Sequence, residues 1–72
     1  MPQPDFRTRF GLHVLALREQ AALTQEELAA RSKLSRHYVS ELESGKRNPS
    51  LEVLMRLAKG LKIDLKELVA FS

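Results

Sequence analysis

Between Thr24 and Glu43 the chain reads TQEELAARSKLSRHYVSELE, and this run leaves little freedom in how the remainder can fold. Two short amphipathic helices fit it, with a tight turn between them. The Thr24 hydroxyl can accept from the free amide of Glu27, whose carboxylate can reach back, so a helix opens there. Leu28 and Ala29 then face inward one turn after the cap. Ser32-Lys33-Leu34 breaks the pattern, and Ser35 offers a second N-cap. Val39 and Leu42, three apart, give the second helix a narrow apolar stripe. A helix this short does not persist alone in water, so both must be held by packing against the rest of the chain.

The outward side of the second helix carries Arg36, His37, Tyr38, Ser40 and Glu41, side chains that can bond base edges. Two short helices crossing steeply, the second polar on its outer face, describe a helix-turn-helix that reads double-stranded DNA. Such a helix enters the major groove by its N-terminal end, so Arg36 and His37 point deepest. The forked donors of Arg36 match guanine O6 and N7, and a phosphate contact is the alternative role. His37 can donate or accept. Tyr38 can bond phosphate, lie against a thymine methyl, or only pack. Ser40 and Glu41 sit a turn further on, where repulsion by phosphate gives Glu41 a solvated or intramolecular role ahead of a cytosine contact. Phosphate contacts are expected from the first amides of the preceding helix, at Thr24 and Gln25, and from Lys33 and Ser35 at the turn.

The flanking segments supply the support. Residues 1–4 hold two prolines and read as a frayed arm. Asp5 can cap a first helix in which Phe6, Phe10, Val14 and Leu17 form a core-facing stripe. His13 sits beside that stripe with no second His or Cys at ligand spacing, so it reads as a boundary histidine, and no metal or cofactor is expected. Ser44-Gly45 ends the second helix of the pair, with Gly45 the left-handed residue. Pro49-Ser50 restarts the chain, and Leu51, Leu54, Leu57, Ala58 and Leu61 give a fourth helix over residues 51–60. Asp64 with Glu67 repeats the capping spacing and opens a short fifth helix through Leu65, Leu68 and Val69. No strand pattern appears. The expectation is one compact all-α domain of five helices over residues 5–72.

Seventy-two residues bury a modest core, so well-packed helices or a partner subunit must supply stability. Twelve Lys and Arg against nine Asp and Glu give +3, a mild excess that composition alone would assign to a solvated mixed surface. Distribution says more. Between Lys33 and Arg47 lie the cations Lys33, Arg36, Lys46 and Arg47 and the acids Glu41 and Glu43, a positive surface once Glu43 is neutralised internally. The chain has no cysteine, no apolar run of membrane-spanning length, and no signal-peptide pattern at Met1-Pro2-Gln3-Pro4; the expectation is a soluble cytoplasmic protein. Ser35, His37, Ser40 and Glu41 share a helix, but no metal set or glycine-rich phosphate loop accompanies them, and no enzymatic activity is expected.

Gln25, Leu28-Ala29, Leu34, Val39 and Leu42, together with Leu17-Arg18, ALTQEELA from Ala22 and LESGKRNPS from Leu42, resemble the phage-repressor/Cro-type (xenobiotic-response-element) family. With the later L-x-x-L-x-x-L-A-K-x-L, the resemblance spans roughly residues 10 to 70. It implies a lambda-repressor-like domain in which Arg18 pairs with Glu43 as a partly buried lock between helices one and three; two exposed charges are the alternative. It also implies that Gln25 contacts the DNA backbone and braces the recognition helix, and that Lys46, Arg47 and Asn48 grip phosphates. Two positions depart from the pattern: Lys33 stands where the turn glycine is usual, and Lys62 replaces a glycine common after helix four. Lys33 must then adopt a left-handed conformation at some cost or adjust the turn, and the turn after helix four is less firmly specified at Lys62.

One such domain covers about half an operator, and a dimer on a palindrome supplies the rest. The C-terminal residues Leu61, Ile63, Leu65, Leu68 and Phe71 are more apolar than one small core requires and are expected at a homodimer contact, with Phe71 folding back on its own helix as the alternative. The sequence therefore implies a homodimeric, sequence-specific transcription regulator, a repressor or a controller of the restriction–modification type. An antitoxin that masks a toxin is the alternative, and RNA polymerase a further partner if regulation is positive.

Overall fold

In the computed structural model, residues 5–71 are described; the expected N-terminal arm at residues 1–4 lies outside them. Five helices follow in order: α1 (Phe6–Gln20), α2 (Gln25–Ser32), α3 (Arg36–Glu43), α4 (Leu51–Leu61) and α5 (Leu65–Leu68). No strand occurs among the described residues.

Each of the first four helices opens on a side-chain cap. Asp5, Thr24, Ser35 and Ser50 accept from the amides of Thr8, Glu27, Tyr38 and Val53, at 3.0 to 3.2 Å. At Thr24 the box is complete, because the Thr24 amide donates to Glu27 Oε1 at 2.9 Å. Asp64 precedes α5 in extended geometry but makes no side-chain cap bond, contrary to the expectation from its spacing to Glu67.

The same four helices close alike. A residue with positive φ ends each one: Ala22 (58°), Lys33 (55°), Gly45 (78°) and Lys62 (58°). In every case its amide donates to a carbonyl three back, and the next amide donates to a carbonyl five back, as in Lys33 to Ala30 and Leu34 to Ala29. This pairing satisfies carbonyls that a helix end leaves orphaned. Three of the four positions carry a side chain, so the chain accepts roughly 1–2 kcal/mol of strain at each.

Helix α2 packs on α3 and α4, α1 packs on α3, and α5 lies against α4. The core comprises Phe10 and Val14 of α1, Leu23, Leu28 and Ala29, Val39 and Leu42 of α3, Leu57, Ala58 and Leu61 of α4, and Leu68. Burying each large side chain contributes about 1.5–3 kcal/mol. Several residues of the expected stripes fall outside this core: Leu17 and Leu54 only flank it, and Phe6, Leu51, Leu65 and Val69 are exposed, Leu51 the most at 64%. Gly11 lets α1 approach the end of α3 closely, since a Cβ there would lie 2.5 Å from the Leu42 carbonyl oxygen and 2.8 Å from that of Glu43.

The expected dimer residues need correction. Leu61 and Leu68 are buried in the monomer's own core, and Ile63 and Phe71 pack against that core. The Phe71 ring sits 5.5 Å from Phe6, 5.6 Å from Phe10 and 5.4 Å from His13, so it folds back onto α1. His13 Nε2 donates to the Glu67 carbonyl at 3.0 Å, fastening the same seam. Of the five residues only Leu65 stays exposed. Of the two apolar residues of the four-residue α5, Leu68 is spent on the core and Leu65 is not.

Candidate nucleic-acid interface

Helix α3 is anchored from within. Val39 and Leu42 are fully buried, and the opposite side leaves Arg36 and His37 exposed and Ser40 half-buried. Beneath its C-terminus, Glu43 Oε2 accepts from Arg18 Nε at 2.7 Å, and Glu43 Oε1 accepts from Arg18 Nη2 at 3.1 Å and Gln25 Nε2 at 2.9 Å. Arg18 also donates through Nη1 to the Leu23 carbonyl at 2.8 Å. The Arg18 and Glu43 side chains are 12% and 6% exposed. Hydrogen bonding to Glu43 raises the Arg18 pKa above its ordinary value, so the guanidinium stays charged. One carboxylate thereby joins α1, the start of α2 and the end of α3. It fixes the angle at which α3 is presented.

A second cluster lies on the outer face. Arg47 Nε and Nη2 both approach Glu41 Oε1 at 2.9 Å, and the Arg47 guanidinium lies over the Tyr38 ring, 5.1 Å from its centroid. His37 Nε2 is 3.5 Å from the same Glu41 oxygen. Glu41 is thus occupied within the protein, and Tyr38 is half-buried against the core while its ring supports Arg47. The loop Lys46-Arg47-Asn48 is exposed and is drawn back onto α3 through Arg47.

The remaining candidates divide by what their side chains already do. Thr24 is committed to the capping box and Gln25 to Glu43, so a phosphate at this helix end would be met by main-chain amides. Glu26 and Glu27 stand in the same turn and oppose an anion there. Ser35 accepts from Tyr38, leaving its hydroxyl proton free to donate. Lys33 is exposed at the turn in left-handed geometry. Arg36 has no hydrogen bond or ion pair among the described residues, the state of a side chain free to meet a ligand.

Sequence reasoning did not find the tie from Arg47 to Glu41 and Tyr38. Six residues and a turn separate the charged pair, and no helical period marks it. Nor did it find Gly11, whose only signal is a glycine inside a helical pattern, an unfavourable choice unless a backbone comes close.

A helix-turn-helix that turns a polar face outward beside a cationic loop defines a DNA-binding regulator. The helix-turn-helix family model matches residues 14–68, and the chain belongs to that family, of the Cro/C1 type. It is 45% identical over 65 residues to the HTH-type transcriptional regulator y4dJ of Sinorhizobium fredii, covering 90% of this chain and 84% of that one. It is 46% identical over 65 residues to the control protein C.MunI of a Mycoplasma species, covering 89% and 88%. Among solved structures, the restriction-modification controller protein C.AhdI of Aeromonas hydrophila matches with a TM-score of 0.83 and 43% identity, over 85% of this chain and 92% of that one. These relatives are regulators. No described helix is long and apolar enough to cross a membrane.

Proposed function

We propose that this DNA-binding regulator works in the cytoplasm, without catalysis, as a homodimer on a palindromic operator, repressing or controlling a small transcription unit. The observation that carries the reading is the exposed N-terminal half of α3, with Arg36 and His37 outward, locked at one angle by the Glu43 network. Arg36 reads a base, with His37, Tyr38 and Ser40 beside it. The first amides of α2, opened by Thr24 and Gln25, together with Lys33, Ser35, Lys46, Arg47 and Asn48, hold phosphates and add salt-dependent affinity without sequence preference. A regulator of this size represses by occluding polymerase from the operator. The controller role is supported by likeness to C.MunI and C.AhdI.

The dimer surface moves from the buried Leu61 and Leu68 to the exposed pairs Leu51 and Met55 on α4 and Leu65 and Val69 on and beside α5. Each pair is spaced by four residues and so lies on one helical side, and the two helices adjoin. Exposed apolar patches of this kind mark partner surfaces.

Selection of bound sequences from a random DNA pool tests the reading. Enrichment of a palindrome supports a dimer with two recognition helices, and its half-site spacing gives their separation. A pool that yields no motif sinks the operator reading, and a protein that co-purifies in its place would identify an antitoxin-type module.

A further inference from the structure

Where the end of α2 meets the second half of α4, Arg31, Ser32, Lys33, Arg56 and Lys59 line an open cavity of about 220 Å³. Four of these five wall residues are cations and none is an acid. Like charges gathered around one cavity repel, so an anion placed among them is attracted by all four. Two carboxylates reach the group from outside the wall: Glu52 Oε1 accepts from Arg56 Nη2 at 2.6 Å, and Glu27 lies near enough to Arg31 for their charges to attract. The same guanidinium donates through Nη1 to the Lys33 carbonyl at 3.4 Å. Held from two sides, Arg56 keeps its orientation at the rim, and Arg31, Lys33 and Lys59 form no salt bridge among the described residues.

Behind the cations lies a buried polar side chain. Ser32 is 1% exposed, is packed against Gly60 of α4, and its Oγ has no hydrogen-bond partner. A buried hydroxyl in that state is disfavoured unless something reaches it. Among the carbonyls at this end of α2 and its turn, those of Ala29 and Ala30 accept from Leu34 and Lys33, and that of Lys33 accepts from Arg56.

We propose that this cavity binds a phosphate group, held by the side chains of Arg31, Lys33, Arg56 and Lys59. A phosphate offers several acceptor oxygens and suits forked guanidinium donors beside point-charge ammonium groups. A carboxylate offers two oxygens and one charge, and leaves more of these donors unmatched. Lys33 belongs both to this wall and to the turn leading into α3, so two sources present the chemistry. One is a backbone phosphate of the bound duplex, which rests on the operator reading above; the other is a free phosphate-bearing small molecule, which does not.

The test titrates the full chain with inorganic phosphate at constant ionic strength and follows backbone amide resonances. Saturable shifts at residues 31–33 and 56–59 are expected, with affinity weakened about two- to fivefold by Lys59→Gln or Arg31→Gln. Neither side chain makes a hydrogen bond among the described residues, so both variants should fold; unchanged melting temperatures check this. The variants are then measured on a duplex carrying the selected operator. A fall of about one in the slope of log affinity against log salt identifies the backbone phosphate as the source. An unchanged slope, with the response to inorganic phosphate lost, identifies a free ligand. A pool that yields no operator removes the duplex arm and leaves the phosphate titration decisive. Absence of saturable shifts overturns the proposal, as do shifts reproduced by chloride or by an acidic peptide at equal ionic strength.

Discussion

The Arg18 guanidinium grips the Glu43 carboxylate with two bonds, Nε to Oε2 at 2.7 Å and Nη2 to Oε1 at 3.1 Å, across 25 residues of sequence. Both side chains are nearly buried, so removing one strands the other's charge in a poor solvent, a loss of about 3–5 kcal/mol. Arg18→Met should therefore destabilise by that order, and Glu43→Gln by somewhat less, because an amide oxygen still accepts. A domain of this size holds only about 4–11 kcal/mol in total, so denaturant unfolding resolves either effect easily. The double variant Arg18→Met/Glu43→Leu should recover much of the loss, since an apolar pair leaves no charge behind. If Arg18→Met unfolds at the wild-type midpoint, the pair is not a lock.

Gly11 guards the same junction from the other side. Gly11→Ala places a Cβ against two backbone carbonyls of α3, which cannot rotate aside as a side chain would. Helix α1 must then shift outward and stretch the Arg18–Glu43 bonds, at about 1–3 kcal/mol. Alanine is the better helix former by about 1 kcal/mol, so a gain in stability would show that the close approach is absent in solution.

Local features of the fold were legible in the sequence, and features set by coverage were not. The caps at Thr24, Ser35 and Ser50 depend on a hydroxyl and an amide three residues on, which sequence spacing states directly. The left-handed Lys33 was one of two outcomes implied by its standing where the resemblance expects a glycine; the same geometry at Lys62 came from the structure. The spacing of apolar residues gives the angle of a helix face but not whether a neighbour covers it. Phe6 and Leu51 lie on the expected stripes, each at the first position of its helix, yet both remain exposed. Leu61 and Leu68 read as surplus, but a one-turn α5 needs both to close the core. At the candidate interface, α3's outward residues were legible from its period; the contact of Arg47 with Glu41 and Tyr38 depends on a loop path that no period encodes.

Arg36 is the residue on which base reading is proposed to depend. Arg36→Ala should relax preference at one base pair and weaken the selected site by about 1–3 kcal/mol. Its exposure and lack of partners mean stability should change by less than about 0.5 kcal/mol. Binding measured on the operator and on each single-base variant separates the outcomes. An equal loss on all sequences would reduce Arg36 to a phosphate contact.

The capping box at α2 gives folding a pH dependence whose sign can be stated. The Thr24 amide, donating to Glu27 Oε1 at 2.9 Å, holds the Glu27 carboxyl below its ordinary 4.5, with the Thr24 hydroxyl and the nearby Arg31 acting in the same direction. A carboxylate with a depressed folded-state pKa contributes stability that is present above its ordinary pKa and is lost as pH falls through the folded value. Glutamine at this position keeps an acceptor for the Thr24 amide but has no proton to gain. Glu27→Gln should therefore melt below the wild type at neutral pH, and the gap should close as pH falls below about 4.5. Asp5 is depressed in the same way, chiefly by the Thr8 amide, and is present in both proteins, so it cancels in the difference. A gap that stays constant from about pH 7 to about pH 3 would show that the box acts through hydrogen-bond geometry and not through the charge on Glu27.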